Sequence, residues 1–214
     1  MTKKKFILLG VSCLVIILSA CNRNAFKEKW TSIEAPSYFK ARFETTQGNF
    51  DIEARREWSP IGVDRLYQLI KSGFYEDIAL FRVVPDYVVQ FGIHNDSTLN
   101  RSWRKFKLED EKVIAKNELG TIAFARGGKN TRTTQIYINI KNNSPRLDTL
   151  SNVGVIGFPV IAKITDGMDV VLSFYEEYGN APARRQDSIH TYGNAFLQRK
   201  FPKLDYLKKA YLLK

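Results

Sequence analysis

The sequence predicts a mainly β fold: a closed antiparallel barrel whose ends are capped by two helices. Three observations lead there. Short segments of alternating apolar and polar residues recur from Phe39 onward, and period-two alternation marks a strand with one buried face. Only two segments carry clear helical spacing, too few for a parallel sheet with crossover helices. The chain has 214 residues and two cysteines, Cys13 and Cys21, both near its start. No disulfide can staple the rest, so one packed core must hold it.

The first element is a hairpin. Phe39, Ala41 and Phe43 alternate with Lys40, Arg42 and Glu44; Thr46-Gln47-Gly48-Asn49 can turn; Phe50 and Ile52 then alternate with Asp51 and Glu53. A helix follows. Ser59 suits the N-cap and Pro60 the first helical position, where a missing N–H costs nothing. Val63, Leu66, Tyr67 and Ile70 share a face, and Gly73 can end the helix. Strands are expected at 79–84, 87–91, 121–125, 134–140 and 157–164, with a short one near 112–114. Met168, Val171, Leu172 and Tyr175 place a second helix at 167–176. Residues 192–199 suit a short helix, and Lys208 to Leu213 a closing strand.

Ahead of these elements, Lys3, Lys4 and Lys5 precede an apolar run from Phe6 to Ala20. The run is short for a membrane span of about 20 residues, and basic-then-apolar is the layout of a signal peptide. It ends in Leu18-Ser19-Ala20-Cys21, which resembles the lipobox of bacterial lipoproteins. That resemblance implies a signal peptide over 1–20, a lipidated Cys21 and a tether reaching residue 36. It implies a chain anchored in the bacterial envelope. Asn22 after the cysteine favours, by analogy, the outer membrane facing the periplasm. An uncleaved anchor with an incidental Cys21 is the alternative.

The net charge is +11. A basic surface suits nucleic acid, an anionic membrane or acidic partners. Export argues against nucleic acid, and the plain expectation is a solvated basic surface near anionic lipid. Phosphate-binding glycine loops are missing. The two histidines, His94 and His190, lie far apart in polar sequence and read as surface residues. Without a histidine cluster or cysteine pair, no metal or other cofactor is expected.

Two segments stand out. One is Phe81-Arg82-Val83-Val84-Pro85-Asp86-Tyr87-Val88-Val89-Gln90. Strand alternation sends Arg82 and Val84 to the face opposite Phe81 and Val83, so the arginine points either to solvent or into a groove. The other is Gly120-Thr121-Ile122-Ala123-Phe124-Ala125-Arg126-Gly127, running on to Thr131-Arg132-Thr133-Thr134-Gln135-Ile136-Tyr137-Ile138-Asn139. Together they resemble the two signature blocks of the cyclophilins, the peptidyl-prolyl cis–trans isomerases, and the similarity runs from about Tyr38 to Tyr178.

The resemblance implies an eight-stranded, closed, cyclophilin-like antiparallel barrel with two capping α-helices. It implies an isomerase domain over 37–178, with 179–214 as a C-terminal extension packed on it. Arg82 takes the place of the catalytic arginine and Gln90 of its supporting glutamine. Tyr87, Val88, Ala125, Arg126, Gln135, Tyr137, Leu147 and Phe158 take the places of the substrate-binding residues. The implied partners are proline-containing polypeptides, met by a monomer that needs no cofactor.

Several positions depart from the family pattern. Arg146 stands where many members have a tryptophan, Phe158 falls near the usual histidine, and Phe91-Gly92 replaces a pair of glycines. Tyr137 brings a hydroxyl that needs a partner if buried. Three functions therefore compete: an isomerase of exported proteins, a proline-binding module with little turnover, and a basic protein recruited by anionic lipid.

Overall fold

The structure, a computed structural model, describes residues 25–214 apart from residue 153. The signal segment 1–20 and Cys21 lie outside the described residues.

The hairpin forms as the alternation requires. Strands β1 (Tyr38–Thr45) and β2 (Asn49–Arg55) pair antiparallel. Phe43 lies opposite Phe50, with the rings stacked at 5.0 Å, and Ala41 lies opposite Ile52. Helix α1 (Pro60–Lys71) buries Val63, Leu66, Leu69 and Ile70 against this sheet.

Its N-terminus is capped in an unexpected way. Ser59 makes no side-chain cap bond to the helix. The carboxylate of Glu111, from a distant loop, accepts from the backbone N–H of Ile61 at 2.8 Å and of Gly62 at 3.0 Å, and from the Ser59 hydroxyl. A carboxylate satisfies two orphan donors where a serine satisfies one.

Next come β3 (Glu76–Ala79), β4 (Arg82–Val84) and β5 (Val88–Phe91), then helix α2 (Ser97–Arg104). Strands β6 (Thr121–Phe124) and β7 (Ile136–Asn139), the short helix α3 (Arg146–Thr149) and the small β8–β9 hairpin (Ser151–Asn152, Val155–Ile156) follow. Strand β10 (Val160–Asp166), helices α4 (Met168–Leu172) and α5 (Gln186–Lys200), and strand β11 (Tyr206–Leu212) complete the chain.

The main sheet has nine strands in the order β3-β11-β1-β2-β10-β6-β7-β5-β4, and every ladder is antiparallel. The expected closed eight-stranded barrel is therefore corrected to a curled, open sheet of nine strands. The predicted strand 79–84 breaks at Leu80-Phe81, so that Ala79 ends one edge strand of the sheet, β3, and Arg82–Val84 form the other, β4. Leu80 enters the main core, while Phe81 packs with a second apolar cluster under α5. No ladder links β3 to β4 among the described residues.

Other expectations change for similar reasons. Residues 112–114 are loop and not strand, because Glu111 and its neighbours serve α1 and Arg132. The second predicted helix shrinks to α4, with Val171 buried and Leu172 exposed. The short helix at 192–199 is part of α5, which is broken at Gly193. Helix α2 has an unpredicted N-cap, Asp96, accepting from Thr98 and Leu99.

The segment read as a tether packs on the domain from Phe26 onward. Phe26 meets Trp103 edge-on at 5.3 Å, and Trp30 also lies against the core. Residues 179–214 are no extension on a finished domain either, since β11 sits inside the sheet between β1 and β3. The histidines are not surface residues: His94 is buried and His190 half-buried.

Candidate functional site

Strands β4, β5, β7 and β6 adjoin one another, and their register builds the site. Arg82 lies opposite Gln90, Gln90 opposite Tyr137, and Tyr137 opposite Ala123. Directly opposed residues share a face, so these four form one row across the outer face of the sheet. Val89, Phe91, Ile122, Phe124, Ile136 and Ile138 point the other way, into the main core. This explains why β5, β6 and β7 are buried at every position. One parity fills the core and the other lines a groove.

Around that row lies a cavity of about 160 Å³ lined by Arg82, Tyr87, Val88, Gln90, Ala125, Arg126, Tyr137, Leu147 and Phe158. An adjoining cavity of about 220 Å³ is lined by Gln90, Ala125, Arg126, Gly127, Thr131, Thr133, Gln135 and Gln186. Every residue that the sequence singled out for this site thus comes together, with Gln135 in the second cavity.

The turn after β4 carries Tyr87. Its N–H donates to Val84 at 3.1 Å, and its carbonyl accepts from Ile140 and from the Asn143 amide. Leu147 comes from α3, and its carbonyl accepts from the Phe158 N–H at 2.9 Å, which joins the two halves of the apolar wall. Tyr137 and Phe158 meet edge-on at 5.8 Å. The Tyr137 hydroxyl has its partner: it donates to Asn117 Oδ1 at 3.1 Å. Burial pushes its pKa well above the ordinary value, so it stays a neutral donor.

Arg82 is held on two edges. Its Nε donates to Asn180 Oδ1 at 2.7 Å and its Nη1 to Gln90 Oε1 at 2.8 Å. The guanidinium also lies over the Tyr87 ring, 5.5 Å from the centroid. Burial lowers its pKa, with Tyr87 opposing the shift; an arginine so lowered remains a cation at physiological pH. Both partners on these edges are neutral amides, so its charge is not cancelled, and its Nη2 donors stay available among the described residues.

The amides continue the chain. Gln90 Nε2 donates to Gln135 Oε1 at 2.9 Å, and Gln135 Nε2 donates to Gln186 Oε1 at 2.9 Å. Arginine can only donate, so it sets the direction of every bond after it.

Arg126 contributes differently from the other lining residues. Its side chain is 1% exposed and lies behind the wall, 4.6 Å from the Phe158 ring centroid and 3.5 Å from Asp110. Burial lowers its pKa and Asp110 raises it. The wall phenylalanine is thus backed by a cation. Arg146 lies on the exposed rim, its guanidinium 5.4 Å from the Tyr87 ring.

Asn180 and Gln186 were missed by sequence reasoning. They lie 98 and 51 residues from their partners, in a polar stretch without periodicity. No local signal could have found them. Among the described residues no group of three or more His, Cys, Asp or Glu could hold a metal ion.

Comparison with known proteins agrees with this architecture. The family model described as cyclophilin type peptidyl-prolyl cis-trans isomerase/CLD matches residues 40–194. A peptidyl-prolyl cis-trans isomerase-like 2 of Gibberella zeae is 32% identical over 111 residues, which is 50% of this chain and 19% of that protein. A peptidyl-prolyl cis-trans isomerase of Acinetobacter baylyi is 28% identical over 130 residues, 60% of this chain and 67% of that one. The match spans about a fifth of the length of the fungal relatives. The crystal structure of a Cryptosporidium parvum cyclophilin type peptidyl-prolyl cis-trans isomerase superposes with a TM-score of 0.56 at 18% identity, covering 83% of this chain and 98% of that chain. A second structure of that isomerase, in the presence of the dipeptide Ala-Pro, gives a TM-score of 0.55.

Proposed function

Because this chain belongs to the cyclophilin-type peptidyl-prolyl cis-trans isomerase family, we propose that it catalyses rotation about Xaa-Pro bonds, with Arg82 as the catalytic residue. Rotation breaks amide resonance against a barrier of about 18–20 kcal/mol, and unaided it takes about tens to hundreds of seconds. No covalent intermediate is required. As the bond twists, the prolyl nitrogen becomes pyramidal and regains a lone pair. A donor aimed at that nitrogen binds the twisted state and not the planar one, which is what lowers the barrier.

The observation that carries this reading is the guanidinium of Arg82, fixed on two edges by neutral acceptors at 2.7 and 2.8 Å while, among the described residues, its Nη2 donors remain available. Tyr87, Val88, Tyr137, Leu147 and Phe158 form an apolar wall that suits a pyrrolidine ring. Gln90 and Asn180 orient the fork without neutralising it, as a carboxylate would. Ala125, Arg126 and Gln135 line the path for the flanking peptide.

The test is isomerisation of an Xaa-Pro peptide by wild type and Arg82→Ala, with peptide binding measured beside it. The variant is expected to lose about a hundredfold in kcat/KM, or about 3 kcal/mol, as when one transition-state donor is removed. Equal rates would end the enzyme reading. Retained binding with equal rates would favour a proline-binding chaperone or scaffold, the reading that Arg146 on the rim and Phe158 in the wall support.

The N-terminal pattern supports a finer reading. Cleavage before Cys21 and lipidation of its thiol would anchor a monomer in the bacterial envelope, on the periplasmic face of the outer membrane. There it would serve unfolded or loop prolines of exported proteins. Cys21→Ala is expected to release the protein from membranes. Retention with an uncleaved N-terminus would show an ordinary anchor.

A further inference from the structure

The hydrogen-bonded chain through the site begins and ends in the same place. Asn180 holds the Nε edge of Arg82, and Gln186 accepts at the far end from Gln135. Only a few residues separate them. Between them run Arg82, Gln90 and Gln135, from three separate parts of the sheet region. Resting on the isomerase reading, we propose that residues 180–186 are a positioning bracket that holds the catalytic guanidinium in its working plane.

The bracket is firmly mounted. Residues 182–185 make a helical turn that leads directly into α5. Within α5, Ile189 and Leu197 pack in one cluster with Ala79, Phe81 and Ile93. Phe81 is the neighbour of Arg82 in the chain, so the helix bears on the strand that carries the arginine. Gly193, at φ +55, brings the helix backbone against Asn95, whose side chain accepts from the Asn194 N–H at 2.9 Å. The Asn194 amide in turn donates to the Asp77 carbonyl at 2.9 Å. Both sides of the β3–β4 gap are thus tied to α5: Asp77 through Asn194, just beyond the break at Gly193, and Phe81 through the apolar cluster it shares with Ile189 and Leu197.

The geometry explains why two contacts are needed. One acceptor on Nη1 fixes a direction but lets the guanidinium plane pivot about it. A second acceptor on Nε removes that freedom. Gln186 acts at longer range: it orients the Gln135 amide, which presents Oε1 to Gln90 and thereby keeps Gln90 Oε1 on Arg82. Small misplacements of a reacting group lower rates steeply.

The test uses the full chain and separates positioning from packing. Asn180→Ala is expected to lower kcat by about tenfold, the equivalent of one hydrogen bond of about 1.4 kcal/mol, with KM little changed. Asn180 lines neither cavity. Gln186→Leu keeps the bulk and loses the acceptor, and kcat should fall severalfold. Gln186→Glu keeps an acceptor and should recover most of the rate. Leu and Glu variants that behave alike would overturn the proposal, as would an Asn180→Ala enzyme with wild-type kcat.

A second readout does not depend on activity. The Nε–H resonance of Arg82, assigned by its loss in Arg82→Lys, should lie apart from those of solvent-exposed arginines in wild type and move towards them in Asn180→Ala. If wild type failed to isomerise any prolyl peptide, the isomerase reading would fall, and this resonance would still show whether the bracket holds the arginine. A resonance unmoved by Asn180→Ala would overturn the bracket by itself.

Discussion

Glu111→Ala should be among the most damaging single changes in the fold, although the residue touches no part of the proposed reaction centre. Its carboxylate does two things. It caps α1 through the Ile61 and Gly62 N–H groups and the Ser59 hydroxyl. It also accepts from Arg132 Nη2 at 3.0 Å. The Arg132 side chain is 1% exposed, and its remaining supports are the Glu109 carbonyl and Asp110 at 4.0 Å.

Losing a cap costs about 1 kcal/mol, and leaving a buried charge without its partner costs roughly 3–5 kcal/mol. The two terms share one carboxylate and do not add in full, and Asp110 compensates in part. The expected loss is therefore about 3–4 kcal/mol, or a fall in Tm on the order of 10 °C for a domain of this size. Urea titration of wild type and variant, with the slope of each transition checked, measures it. Glu111→Gln, which keeps acceptor oxygen but no charge, should fall between the two. A loss below about 1 kcal/mol for Glu111→Ala would refute the idea that this carboxylate ties α1 to the loop behind the groove.

Three further outcomes follow from the same structure. Tyr137→Phe should cost only about 1 kcal/mol, because Asn117 Oδ1 keeps the Asn139 amide as a donor at 3.2 Å; a loss above about 3 kcal/mol would mean that the buried amide network depends on the hydroxyl. Gly92→Ala should cost about 3 kcal/mol or more, since φ is +111 and the new methyl would meet the Thr134 carbonyl and lie 2.8 Å from Gln135 Cα; a variant as stable as wild type in urea would contradict that close approach. Between pH 7 and 5 the fold should weaken as pH falls. Burial depresses the pKa of His94, whose Nδ1 accepts from the Asp96 N–H at 2.9 Å. Burial, with Arg104 adding and Asp187 opposing, pushes His190 down to about 4. The unfolded chain, titrating near 6.5, then binds more protons than the fold, so stability is complete above that value and is lost towards 4. His190→Asn should flatten the slope of urea midpoint against pH, and an unchanged slope would remove His190 from the account.

Much of the site is legible in the order of the amino acids. Arg82, Gln90 and Tyr137 lie on strands, where alternation fixes which neighbours share a face, and their cross-strand register then follows from burying the valines and isoleucines between them. Leu147 and Phe158 are legible only through likeness to a family, because they sit on α3 and a loop without a period of their own. Ser59 shows the limit of local rules. It has the right residue type for a cap, yet a carboxylate from another loop satisfies more donors and takes its place.

The amino-acid order by itself determined most of the strands, the helix that starts at Pro60 and the parity that sets Arg82 on the face opposite Val83, because these depend on spacing along the chain. Tertiary structure decided the rest. It broke the 79–84 strand between the two edges of an open sheet, drew β11 into that sheet, and brought Asn180 and Gln186 to the ends of the amide chain. Those choices rest on contacts between residues far apart in sequence. Such contacts form only when burial of the whole core outweighs the entropy of closing the loops between them, and no local pattern records that balance.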